Sequence, residues 1–138
     1  MLDLLLAREP HFPAATKLFS LFEEGRLEGF LSPLIFSNLF YILRKGMPGP
    51  EAINALRKLK LIAGILPVDD KILDLALSST FKDFEDAMQY YTAVTHGIDA
   101  LVTRNQSDYK AAKIPILTAA ECVEVARSQD GKGNDSAA

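Results

Sequence analysis

The chain has 138 residues, 49% of them apolar, which is enough for one domain with its own core. A net charge of -3 excludes a grip on nucleic acid by bulk electrostatics and leaves only a local basic patch for that purpose. The single cysteine, Cys122, excludes an intrachain disulfide framework and a Cys/His zinc site, and favours a reducing compartment.

The first segment, MLDLLLAREPHFP, has no basic n-region and carries Asp3 and Pro10, so it does not read as a signal peptide. No apolar run is long enough to span a bilayer, and a cytoplasmic location is expected. Residues 10–24 then read as a helix, with Phe12, Ala15, Leu18, Phe19 and Phe22 at i, i+3, i+4 spacing. Glu28 to Ser32 is short and strand-like. Ser32-Pro33 is an N-cap followed by a first-turn proline. The helix it opens, Pro33 to Lys45, is apolar on nearly every side and is expected to be buried. Gly46 to Pro50 is a loop by composition. Glu51 to Ala63 is amphipathic, with Ile53, Leu56, Leu59 and Ile62 predicted inward and Arg57, Lys58 and Lys60 outward.

Ile65 to Val68 reads as a strand, and Asp69 or Asp70 caps the helix after it. The stretch KDFEDAMQYY opens a further helix that ends at Gly97, with Phe84, Ala87, Met88 and Tyr91 as its apolar stripe. Asp99 to Thr103 is a buried strand, Arg104 to Lys110 a polar turn or short helix, and Ile114 to Leu117 a strand whose proline marks an edge. Thr118 caps a last helix, and Glu121 completes a capping box. Residues 1–128 form a single domain, and the apolar-poor tail 129–138 is expected to be disordered. Four short apolar strands alternating with helices imply a parallel sheet covered on both faces.

Ligands of such sheets sit beyond the carboxyl ends of the strands. The strand at 99–103 delivers Thr103, Arg104, Asn105 and then Asp108 to that edge. The strand at 28–32 delivers Ser32, then Ser37 and Asn38 in the helix after it. Asn38 is polar within an apolar helix, so it bridges two elements as a structural amide or serves a site. Asp83 and Asp86 are three apart and share a helical face, about 60° from one another. Asp83 has the character of an N-cap, with Glu85 and Asp86 favoured at the positive end of the helix dipole. Three acids exceed what one cap requires, however. Carboxylates that converge without basic partners repel one another, and a hard cation relieves that repulsion. His11 and His96 are isolated, and Cys122 reads as a buried thiol. Arg44, Lys45 and Arg104 are candidates to meet a polyanion.

Six blocks then carry a resemblance: LDLLLAREPHFPAATKLFSLFEEGRLEGFLS, SNLFYILRK, ILPVDD, DFEDAMQYYTAV, IDALVTRNQSDY and IPILTAAE. In order and spacing, from Leu2 to about Val123, they resemble the PIN-domain family and its bacterial branch related to VapC toxins. The resemblance implies a three-layer α/β/α fold with a short parallel sheet and acids at its carboxyl edge. It implies a ribonuclease dependent on Mg2+ or Mn2+, in which metal activates water for attack on an RNA phosphodiester. It also implies a small antitoxin partner and a homodimer.

Carried over by position, Asp86 matches the family's third acid, with Asp83 and Glu85 beside it. Thr103-Arg104-Asn105 matches the segment bearing the fourth polar site, and Asp108 is an alternative ligand there. Asn38 stands where typical members carry an acid, and an amide adds no negative charge. The resemblance therefore implies Asp86, Asp108, Asn38 and Asn105 as catalytic residues and Asp86, Asp108 and Asp83 as metal ligands. Thr103, Arg104 and Ser37 would meet substrate. The family's opening strand, central in the sheet and ending in Asp, Thr or Ser, and Asn, has no counterpart before Met1. Either Met1 is internal to that segment, or the first, central strand is missing. Both imply impaired catalysis in the chain as given, and the alternative is a non-catalytic module that binds RNA or a partner protein.

Overall fold

The computed structural model describes residues 3–7, 12–109 and 112–137, with side chains placed for 3–7, 17–109 and 112–128. In chain order the strands are β1 (Asp3–Leu6), β2 (Glu28–Leu31), β3 (Gly64–Ile65), β4 (Ala100–Val102) and β5 (Ile116–Leu117). The α-helices are α1 (Phe12–Glu23), α2 (Pro33–Leu43), α3 (Gly49–Ile62), α4 (Asp70–Leu77), α5 (Phe84–Thr95) and α6 (Ala119–Ala137). A short 3-10 helix spans Gln106–Tyr109.

All strands are parallel, in the order β3-β2-β1-β4-β5. The expected vacancy at the centre of the sheet is corrected: β1 fills it, with Leu5 opposite both Phe30 and Leu101. This strand escaped the sequence reading because three leucines after one Asp carry no periodicity that separates strand from helix. Its side chains alternate between two cores. Leu4 and Leu6 join Leu18, Leu31, Ile35, Val102 and Cys122 on one face. Leu5 and Ala7 join Tyr90, Ala93, Leu101 and Tyr109 on the other. A strand buried on both faces in this way is the usual content of a helix-covered parallel sheet. Asp3 lies at the amino end of β1, where its backbone N–H donates to Asp99 Oδ2 at 2.8 Å, away from the edge where ligands bind.

Several elements start and stop where their chemistry directs. Asp69 caps α4 by accepting from the Ile72 N–H at 2.9 Å. Gly97 follows α5 with φ +67°, a conformation that favours glycine just past a helix end. Gly29 in β2 has no room for a side chain, since a Cβ there would meet the Phe22 ring at 2.4 Å. The Thr118–Glu121 box closes in both directions at 3.1 Å.

Other expectations need correction. Helix α3 starts two residues early, at Gly49, and turns Ala52 inward while Ile53 is 40% exposed. β3 is shorter than the predicted strand. Helix α2 buries only Ile35, packs Phe36 and Leu39 partly against the same core, and leaves Tyr41 and Ile42 of its last turn exposed. In α5 the buried set is Asp86, Ala87, Gln89, Tyr90, Thr92 and Ala93, whereas Phe84 is exposed. Helix α6 continues to Ala137 through residues given to a disordered tail, a stretch with no proline to interrupt its hydrogen bonds. The expected helix start at Pro10, His11 and the turn end at Lys110 lie outside the described residues.

Candidate functional site at the carboxyl edge of the sheet

The carboxyl ends of β1 and β4 lie side by side, with Leu6 opposite Val102. Beyond them β1 hands over Ala7, whose N–H donates to the Val102 carbonyl at 2.8 Å. Beyond β4 come Thr103 and Arg104. Helices α2 and α5 border the same edge, since β2 leads into α2 through Ser32 and Asp83 opens α5. A cavity of about 270 Å³ opens here, lined by Ala7, Ile35, Asn38, Leu39, Tyr41, Ile42, Glu85 and Arg104.

Its polar groups come from three elements. The Asn38 amide on α2 donates through Nδ2 to Glu85 Oε1 on α5. Asn38 is exposed and bridges two helices across the cavity, the first of the two roles its place in an apolar helix allows, although the helix as a whole is less buried than expected. Arg104 is exposed and makes no hydrogen bond or ion pair among the described residues. Tyr41 stands at the rim and is 69% exposed.

The predicted acids are distributed more widely than the sequence reading implied. Asp83 is half-buried and acts as the α5 N-cap, its Oδ1 accepting from the Asp86 N–H at 3.0 Å. Asp86 is fully buried, and the Tyr109 hydroxyl donates to its Oδ1 at 3.1 Å. Asp108 is exposed on the 3-10 helix. Thr103 is buried and its Oγ1 accepts from the Asn105 N–H at 3.1 Å, a local turn bond. Ser37 is exposed on α2. Of the residues singled out in the sequence, the cavity brings together Asn38, Arg104 and Glu85. Ala7 and Tyr41 complete it. Both escaped the sequence reading: Ala7 has no chemistry to notice, and Tyr41 reads as core in an apolar helix.

The second buried polar group on α5 is Gln89. The Ser32 hydroxyl donates to its Oε1 at 3.0 Å, while its Nε2 has no hydrogen-bond partner among the described residues. Ser32 stands at the N-cap of α2, but its side chain makes no cap bond there. The residue that carries the N-cap signal thus also ties β2 to α5. The 3-10 helix that presents Tyr109 is held from behind, where Gln106 Nε2 donates to the Ile116 carbonyl at 3.0 Å and to Glu121 Oε1 at 2.8 Å. Glu121 is held below its ordinary value of 4.5 chiefly by the Thr118 backbone N–H. Cys122 is fully buried, and desolvation, with the neighbouring Glu121 charge, pushes its thiol up to about 12, so it is inert as a nucleophile. His96 caps α5 and places Nε2 3.1 Å from the Pro67 carbonyl, a helix-end role as expected.

Among the described residues, no group of three or more His, Cys, Asp and Glu side chains comes together to hold a metal ion. Asp83 is used as a cap, Glu85 faces Asn38, and Asp108 is solvated on another element. The donors described do not by themselves fit a hard divalent cation, which takes about six oxygen ligands. Among the described residues the cavity offers instead one anionic group, one cation, an amide and an exposed aromatic ring around a small apolar floor.

An all-parallel, three-layer domain with a mixed polar cavity beyond its central strands belongs to the broad class of α/β proteins that bind ligands at the carboxyl edge. Within that class the family is specific: a PIN-domain profile matches residues 1–107, and the chain belongs to the PIN-domain family. Solved structures agree on the fold. VapBC-1 from nontypeable Haemophilus influenzae is 12% identical with a TM-score of 0.64, covering 87% of this chain and 99% of that one. PAE2754 from Pyrobaculum aerophilum is 21% identical with a TM-score of 0.63, covering 93% and 90%. VapBC2 from Rickettsia felis, solved bound to a DNA fragment from its promoter, is 14% identical with a TM-score of 0.56, covering 85% and 97%. No curated protein sequence matches this one. Among the described residues no helix is long and apolar enough to cross a membrane.

Proposed function

We propose that the chain is a PIN-type ribonuclease of the VapC toxin kind whose cleavage of RNA phosphodiester bonds is impaired. The observation that carries this reading is the pair of neutral residues at the cavity, Ala7 beyond the central strand and Asn38 on α2. Family resemblance puts acids at the carboxyl edge of the central strand and at the position of Asn38. Among the described residues the carboxylates at that edge are Asp83, which caps α5, Glu85, engaged by Asn38, and Asp86, engaged by Tyr109. Acids already engaged in this way along one helix give less negative potential than a convergent cluster. The Mg2+ or Mn2+ that the family resemblance implies would therefore bind weakly. The residues of this chain still position RNA: Arg104 attracts a phosphate, and the ring of Tyr41 offers a base an apolar face.

Partners follow the same reading. Neighbours of this fold are VapBC complexes, which supports a small antitoxin protein as partner. Leu73 and Leu77, exposed one turn apart on α4, give an apolar surface for that antitoxin or for a second copy of the chain. A non-catalytic module that binds RNA is the second reading, and the neutral Ala7 and Asn38 favour it.

Incubation of the full chain with RNA and Mn2+ separates them. Slow cleavage, abolished by Asp86→Asn and raised by Ala7→Asp, is the expected outcome. Full activity in the unaltered chain would sink the impairment. RNA binding that survives chelation, with no cleavage by the chain or by Ala7→Asp, moves the assignment to the binding module.

A further inference from the structure

We propose that the cavity at the carboxyl edge is a one-nucleotide subsite for single-stranded RNA, in which a guanine stacks on Tyr41 with its edge toward Glu85 and its phosphate toward Arg104. This rests on the RNA-directed reading above and adds the residue that orients the strand and the base it prefers.

Tyr41 is the first observation. It is 69% exposed in a helix otherwise rich in apolar contacts, and it lines the cavity instead of the core. Phe40 meets it edge-on, at 69° with ring centroids 6.2 Å apart, which braces the side chain while leaving ring surface to solvent. A braced, exposed ring at the mouth of a cavity is a stacking platform, and every base has a face to place on it.

Charge placement is the second observation. Glu85 and Arg104 line the same cavity. A polyanion that enters must keep its phosphates from the Glu85 carboxylate and bring them to Arg104, which no group among the described residues engages. Arg44 does not take part, because its Nη1 donates to the Met47 carbonyl at 2.9 Å. The base therefore turns toward Glu85. The carboxylate accepts only, and the Asn38 amide holds it by Oε1. Adjacent ring N–H and exocyclic N–H2 groups suit such an acceptor, and guanine presents that pair on the Watson–Crick edge that an unpaired strand exposes.

The test is binding of the full chain, in EDTA, to two fluorescent seven-nucleotide RNAs that differ only in a central G or U. We expect the G-centred RNA to bind more tightly. Tyr41→Ala weakens binding of both about 5- to 150-fold, while Tyr41→Phe keeps it. Glu85→Gln removes most of the preference for G. If the unaltered chain binds and Tyr41→Ala binds equally well, the subsite falls while the RNA-directed reading stands. If Tyr41→Phe loses as much as Tyr41→Ala, the hydroxyl and not the ring is responsible, and stacking is overturned. Equal affinity for G and U overturns the guanine assignment. If the unaltered chain binds neither RNA, the RNA-directed reading fails and takes the subsite with it.

Discussion

Helices α2 and α5 border one cavity and depart from simple hydropathy in opposite directions. α5 buries Asp86, Gln89 and Thr92 completely, while α2, with far more apolar residues, leaves Tyr41 and Ile42 exposed. The polar side chains of α5 are tolerated inside because partners meet them: Ser32 on Gln89, Tyr109 on Asp86, and the Met88 carbonyl, which accepts from the Thr92 hydroxyl at 2.6 Å. In α2 Ile35 joins the core with Phe36 and Leu39 packed against it, whereas Tyr41 and Ile42, in the last turn, stay outside that cluster. Of α5 only Glu85 reaches the cavity, whose wall is made mostly by α2, while the polar side chains that α5 buries serve the interior.

The contrast within α2 is the sharpest place to strike. Ile35→Ala removes the one fully buried anchor of the helix and should cost about 2–5 kcal/mol, read from the urea midpoint at constant slope. A loss below about 1 kcal/mol would mean that α2 is held by its outer face and that the inside–outside distinction is wrong. In α5 the corresponding blow is Ser32→Ala. It strips the donor from Gln89 Oε1, leaving a buried acceptor unmet, and should cost about 1–3 kcal/mol. A neutral result would show that water replaces the hydroxyl and that the polar interior of α5 is wetter than its burial implies. Smaller again is Asp83→Ala, which removes the cap bond to the Asp86 N–H and should cost about 1 kcal/mol. The same change should leave α4, capped independently by Asp69, with unaltered amide protection.

These effects also mark what was legible in the sequence. Caps were, because Asp69, Asp83 and the Thr118–Glu121 pair act over three residues and need nothing from the rest of the chain. β4 was, because an apolar run between polar turns has few alternatives. The order of the sheet was not fully readable. β1 carries four residues with no periodicity, and only pairing with β2 and β4 identifies it as a strand. The inward face of α5 was misplaced for a related reason. Hydropathy selects Phe84 and Met88, whereas packing selects Asp86 and Gln89, whose partners Tyr109 and Ser32 are 23 and 57 residues away. Of the candidate cavity, the place at the carboxyl edge and some of the lining side chains were legible. Asn38, Arg104 and Glu85 meet there, but Ala7 and Tyr41 enter only once the strands and α2 are placed.

The smallest expected effect is the most diagnostic. Ile42 lies two turns from Ile35 on the same face of α2 and is 38% exposed. If the exposed part of its side chain meets only water, Ile42→Ser costs no more than about 1 kcal/mol, since that part is already solvated in the single chain. The unfolding midpoint should then be the same in dilute and concentrated protein. A midpoint that rises with concentration in the unaltered chain and stops doing so in Ile42→Ser would mean that a second copy covers this face, because association stabilises by mass action. In that case the exposure of α2 is a property of the single chain. The cavity beneath it would then open to RNA only when the copies separate, and the Tyr41 ring would serve two surfaces in turn.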